Sequence, residues 1–96
     1  MRRATKVDAN QAEIVAALRK AGVSVWVTSA VGQGFPDLVA GYRGITYAFE
    51  CKRPRAPGQP AGELTDDQRL FFLEWRGQAA IVRSAAEALR VVGATV

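Results

Sequence analysis

Asp37, Glu50 and Lys52 are the residues of this 96-residue chain whose types and spacing can do chemistry together. Two carboxylates brought to one place repel each other, so one is held protonated or a cation sits between them, and hard oxygen ligands suit Mg2+ or Mn2+. A cation so held polarises a phosphate oxygen, lowers the pKa of an attacking water and steadies a leaving oxygen. A nearby ammonium orients that water or offsets charge growing on phosphorus. The implied chemistry is phosphodiester cleavage without histidine, a residue the chain lacks entirely. Taken alone, Glu50-Cys51-Lys52 is also explained as a solvated strand end with an incidental ion pair. Asp37, which follows Pro36, can equally be a turn residue bonded to its own backbone.

These residues need elements to position them. In a strand over 45–52, alternation sends Ile45, Tyr47, Phe49 and Cys51 to one face and Thr46, Ala48, Glu50 and Lys52 to the other. The first set is apolar and packs; the second ends in Glu50 and Lys52, with small residues leaving space beside them. A preceding strand over 37–42 joins this one through a tight turn at Arg43 and Gly44, forming a hairpin. The start of one antiparallel strand lies beside the end of the next, which puts Asp37 near Glu50 and Lys52.

The rest of the chain alternates in the same manner. Ile14, Ala17, Leu18 and Ala21 recur at helical spacing from residue 8 to about 21, with Asp8 and Gln11 as a capping box and Gly22 as the stop. Val23, Val25 and Val27 mark a strand over 23–29, ended by Gly32-Gln33-Gly34. Three prolines and two glycines make 53–64 a loop. Thr65 and Gln68 form a second capping box, opening a helix whose apolar face includes Leu70, Phe71, Leu73 and Trp75, and Gly77 closes it. Residues 79–83 form a buried strand, and Ser84 with Glu87 caps a last helix running to about Val92. The order α-β-β-β-α-β-α predicts an α/β fold, a mixed sheet flanked by helices. One domain over 1–96 is expected, with a basic arm at 1–7.

Composition narrows the classes. A 10.3 kDa chain with 49% hydrophobic and 23% charged residues is globular rather than disordered. The net charge of +4 suits a polyanionic partner, and a balance this modest is equally found in ordinary soluble proteins. The single Cys51 excludes an internal disulfide and a cysteine-rich zinc site. No apolar run approaches the roughly 20 residues of a membrane span, and the basic start leads into no secretory stretch, so a cytoplasmic protein with no membrane partner is expected. Arg53 and Arg55, entering the proline-rich loop, and Arg2, Arg3 and Lys6 on the arm are candidate phosphate contacts, the alternative for both groups being solubility. Trp26 and Trp75 are assigned to core packing, and the Cys51 thiol points away from the carboxylates into the core.

Gly34-Phe35-Pro36-Asp37-Leu38 followed by Phe49-Glu50-Cys51-Lys52 resembles the signature of the PD-(D/E)XK nuclease superfamily. The predicted order resembles that superfamily's restriction-endonuclease-like αβββαβ core. The branch most similar is the VRR-NUC type, often phage-encoded, in which a helical glutamate precedes the signature and a glutamine follows at the start of the next helix. Glu13 and Gln68 match those positions, and Leu64-Thr65-Asp66-Asp67-Gln68 looks like the branch's later motif, so the resemblance spans residues 11–93.

It implies that Asp37, Glu50 and the backbone carbonyl of Cys51 hold Mg2+ or Mn2+, and that Glu13 binds it directly or through water. It further implies that Lys52 acts on the nucleophile and that Gln68 positions Lys52 or the substrate. The activity implied is that of a homodimeric endonuclease acting on DNA, branched DNA such as a Holliday junction included, in a bacterial or phage-infected cell. On the residues alone, Glu13 is equally a solvated helix residue, and Gln68 has a structural task as the partner of Thr65. The rival from another class is a non-catalytic nucleic-acid-binding module on a nuclease-like fold, which binds without cutting. A chance signature in a partner-binding protein would show neither metal dependence nor affinity for nucleic acid.

Overall fold

In a computed structural model of the chain, which describes residues 9–94, the elements follow the predicted order. They are α1 (Ala9–Lys20), β1 (Ser24–Val27), β2 (Leu38–Tyr42), β3 (Ile45–Cys51), α2 (Asp66–Glu74), β4 (Gln78–Val82) and α3 (Ala85–Val92), with a 3-10 turn over Ser29–Val31. The expected basic arm, with Arg2, Arg3 and Lys6, and the Asp8 cap lie outside the described residues.

The strands make one mixed sheet in the order β1-β2-β3-β4. The first three form an antiparallel meander, and β4 returns parallel to β3 after α2. Arg43 and Gly44 both take positive φ, 54° and 81°. This is the left-handed pair that a two-residue hairpin turn needs to match strand twist. The turn sets the register Leu38 opposite Phe49, which positions the site.

Alternation then divides the sheet into two faces. Val25, Leu38, Ala40, Tyr47, Phe49 and Val82 turn toward α1 and α3, and with Ile14, Leu18 and Ala88 they make the core. Cys51 packs against that core, as its parity requires. On the opposite face Ala48 is buried too, beneath a layer made by α2 and the loop before β2. Phe35 meets Phe71 edge-on at 5.5 Å, and Phe71 stacks on Trp75 at 4.9 Å.

That second layer is thin, and here three expectations fail. Trp26 is 75% exposed rather than in the core. Its neighbour Val25 takes the core-facing position, while Trp26 turns to the other face of an edge strand, where α2 does not cover it. Trp75 packs on Phe71 but remains substantially exposed. On α2 the expected apolar face is split: Gln68 and Phe71 face the sheet, whereas Leu70 and Leu73 lie on the far side of the helix, and Leu73 is 74% exposed.

The proline-rich segment is a cinched loop rather than a loose strand end. The Arg53 carbonyl accepts from Gly62 N–H at 3.2 Å and from Arg83 Nη1 at 2.9 Å. Arg83 Nη1 also donates to Gly62 O at 2.8 Å, so one guanidinium ties both ends of the loop to the end of β4. Among the described residues no helix is long and apolar enough to cross a membrane.

Candidate active site

The hairpin register delivers the first two acids. Because Leu38 pairs with Phe49, Asp37 one residue earlier comes opposite Glu50 one residue later. Asp37 is then fixed by its own contacts. Oδ2 accepts from the backbone N–H of Cys51 at 2.9 Å, and Oδ1 accepts from Ser29 Oγ at 3.4 Å. The turn-residue alternative for Asp37 therefore gives way to a cross-strand role. A strand residue sends its N–H and C=O toward the same edge, so the Cys51 carbonyl is directed to the Asp37 side as well.

Glu50 is the unusual member. It sits in the sheet at 2% exposure, and its Oε2 accepts from Gln68 Nε2 at 3.1 Å and lies 3.5 Å from Lys52 Nζ. Its Oε1 is sealed from solvent with no hydrogen-bond donor. Burial, the first cause, together with the Asp37 charge and a hydrogen bond to Asp37 that only the protonated form can donate, pushes the Glu50 carboxyl up from 4.5 to about 7. Lys52 pulls the other way and does not win.

Gln68 holds two positions at once. Its Oε1 accepts from Thr65 N–H at 2.9 Å and its backbone N–H donates to Thr65 Oγ1 at 3.2 Å, which completes the predicted capping box. Its Nε2 is left to reach Glu50. The structural and functional alternatives for this residue are thus compatible, because an amide offers an acceptor and a donor on opposite sides. Gly34 makes the geometry possible. It takes φ +84°, and a Cβ there would run into the backbone of Asp67, so only glycine lets the segment leading to Asp37 pass against the first turn of α2.

Glu13 is not brought to this group. It is solvent-exposed, whereas Gln11, Ile14 and Leu18 occupy the buried stripe of α1. Two residues of helix rotate a side chain by about 200°, so Glu13 and Gln11 cannot share a face. Gln11, 6% exposed, is the α1 residue that approaches, its Nε2 donating to Ser29 Oγ at 3.4 Å. Sequence reasoning assigned Gln11 only to a cap. Its position three residues before Ile14 and seven before Leu18 was the signal that it lies on the core stripe. Asn10 was missed as well: its Nδ2 donates to Lys52 O at 3.0 Å and Arg83 O at 3.2 Å, pinning α1 to the ends of β3 and β4.

Among the described residues no three His, Cys, Asp or Glu side chains gather as a metal-holding group. The donor set on hand is two carboxylates, one with a buried oxygen lacking any donor, beside a backbone carbonyl. That set fits Mg2+ or Mn2+, which are commonly held by one or two carboxylates and complete their shells with water and substrate oxygens.

Of the loop arginines, Arg53 has its guanidinium on Pro60 O at 2.9 Å, whereas Arg55 is exposed. No family model matches the chain, and neither a curated protein nor a solved structure matches it.

Proposed function

We propose that this protein is a Mg2+- or Mn2+-dependent endonuclease that hydrolyses phosphodiester bonds of DNA, with a restriction-endonuclease-like core of the PD-(D/E)XK kind and, within it, of the VRR-NUC type. The observation that carries the proposal is the buried Glu50, raised to about 7, facing Asp37 with Lys52 and Gln68 on its outer oxygen. A carboxylate pair this close is costly in a metal-free site and is relieved by a cation. A buried carboxylate oxygen without a donor, such as Glu50 Oε1, is uncommon in folded proteins.

Asp37, Glu50 and the Cys51 carbonyl would hold the cation, which when bound supplies Lewis acidity toward the phosphate and the attacking water. The chain's own residues divide the remaining work. Lys52, its backbone anchored by Asn10 and by Val82 O at 3.1 Å, presents an ammonium beside Glu50 that orients the nucleophile and offsets charge developing on phosphorus. Gln68 holds Glu50 in place from the first turn of α2. Arg55, with the arm residues Arg2, Arg3 and Lys6, would add sequence-independent phosphate affinity. Leu70 and Leu73 face outward on α2, an apolar surface suited to the homodimer that a branched DNA substrate, a Holliday junction for instance, would call for. Such a protein would work in the cytoplasm of a bacterial or phage-infected cell.

The test is cleavage of labelled single-stranded, duplex and four-way-junction DNA with Mg2+, Mn2+ or EDTA, by wild type, Asp37→Ala and Lys52→Ala. Metal-dependent cutting lost in both variants supports the assignment. Folded protein that binds these DNAs and never cuts them leaves a non-catalytic binding module in its place.

A further inference from the structure

Trp26 is the most exposed large apolar side chain among the described residues, and it stands on the sheet face that carries Asp37 and Glu50. The register runs Trp26 opposite Val39 and Val39 opposite Ala48. Asp37 and Glu50 lie two residues along from Val39 and Ala48, a step of about 7 Å on the same face. Val39 and Ala48 also floor a cavity of about 230 Å³ walled by Phe35, Thr46, Trp75 and Gly77. Its aromatic wall is braced, because Trp75 stacks on Phe71 and folds over Gly77 so closely that a Cβ there would strike the indole.

We propose that the strip from Trp26 to this cavity binds unpaired nucleobases of the strand whose phosphate reaches Asp37 and Glu50, so that the substrate carries single-stranded nucleotides beside the cut. The inference rests on the nuclease assignment and adds the substrate's structure to it. Flat apolar indole and phenyl faces are what a base seeks once it leaves the stack, whereas a blunt duplex hides its bases and offers such a surface nothing. Charge agrees with the occupant: the chain is +4 overall, and exposed Arg76, whose Nη1 donates to Leu73 O and Glu74 O at the end of α2, sits between the cavity-lining Trp75 and Gly77. At the outer edge of β1 Arg19 Nη2 donates to Val25 O at 2.9 Å, taking one of the acceptors an added peptide strand would pair with. An unpaired base is therefore a better match for Trp26 than an extended peptide.

The chain has two tryptophans, so Trp75→Phe leaves Trp26 as the sole emitter. Its fluorescence is titrated in EDTA with oligo-dT and with a blunt duplex. Affinities of wild type, Trp26→Ala and Trp26→Phe for oligo-dT, flapped and blunt DNA are then compared by anisotropy, alongside light scattering and cleavage with Mn2+. The expected result is quenching by oligo-dT and not by duplex. Trp26→Ala should bind oligo-dT and flapped DNA about 5- to 100-fold more weakly with blunt duplex unaffected, and Trp26→Phe should retain most of the affinity. Trp26 is exposed, so the variants should unfold as wild type does.

Unchanged affinity of Trp26→Ala for unpaired DNA would overturn the proposal while leaving metal-dependent cutting, and with it the nuclease assignment, standing. A loss of dimer without a change in DNA affinity would also overturn it, assigning the face to a second copy of the chain. Base-dependent binding through Trp26 with no cutting under any metal would sustain the docking site and remove the nuclease assignment.

Discussion

Replacing Glu50 with glutamine should stabilise the metal-free protein at neutral and alkaline pH while removing its response to Mg2+. The folded-state value of about 7 lies above the unfolded value of 4.5, because burial and Asp37 disfavour the charge. For a group raised in this direction, the stabilising contribution is fully present below pH 4.5 and is lost as pH climbs toward 7. The gap is worth at most about 3.5 kcal/mol at roughly 1.4 kcal/mol per pH unit, or about 14–28 °C in Tm for a domain this small.

Glutamine mimics the protonated carboxyl and carries no such loss. Its carbonyl oxygen can still accept from Gln68, and its amide can donate toward Asp37. In EDTA, thermal unfolding followed by circular dichroism should therefore show the two proteins close together near pH 5 and Glu50→Gln more stable by pH 8. Carboxylates common to both proteins cancel in the difference. Adding Mg2+ should raise the Tm of wild type, more at pH 8 than at pH 6 because protons compete for Glu50, and leave Glu50→Gln nearly unmoved. A Tm difference that stays flat from pH 5 to pH 8 in EDTA would refute the derived destabilisation of the Glu50 carboxylate.

Lys52→Ala should lower cleavage by about 10²- to 10⁴-fold while the fold persists, measured by single-turnover rates beside a circular dichroism melt. Gln68→Ala should cost about 1–2 kcal/mol in urea unfolding through the lost cap and the lost donor to Glu50, whereas Gln68→Glu should keep the cap and push the Glu50 titration higher still, read by carboxyl NMR. Arg55→Ala should reduce the slope of log affinity against log salt by about one, while Arg53→Ala, whose guanidinium is held by Pro60, should chiefly loosen the loop, seen as faster proteolysis there. Phe49→Ala, at 0% exposure in the core, should cost about 3–5 kcal/mol in urea unfolding.

Local signals in the sequence were enough for the elements and for the central pair. Arg43-Gly44 between two alternating runs dictates a hairpin, a hairpin dictates a register, and the register alone brings Asp37 to Glu50. Thr65 and Gln68 announced their cap by spacing, and it formed in full. At Ser84 the cap formed differently. Ser84 Oγ accepts from Glu87 N–H, but the Glu87 carboxylate accepts from Arg83 N–H at 2.7 Å, one residue beyond a reciprocal box. These are interactions over a few residues, which sequence spacing encodes directly.

What lay beyond sequence spacing was coverage. Alternation puts Trp26 and Ala48 on one face without saying that Phe35 and Trp75 come in beside Ala48 and leave Trp26 uncovered. Helical periodicity put Glu13 beside the apolar stripe, and Gln11 was assigned only to a cap; the packed fold shows Gln11 buried and reaching Ser29 and, through it, Asp37. The acidity of Glu50 belongs to the same class. Its residue type and position follow from the strand, but its raised pKa comes from burial under α2 beside Asp37 with Lys52 too weak to offset it. Burial is set by which distant segments cover a face, and that is a property of the assembled chain rather than of any stretch within it.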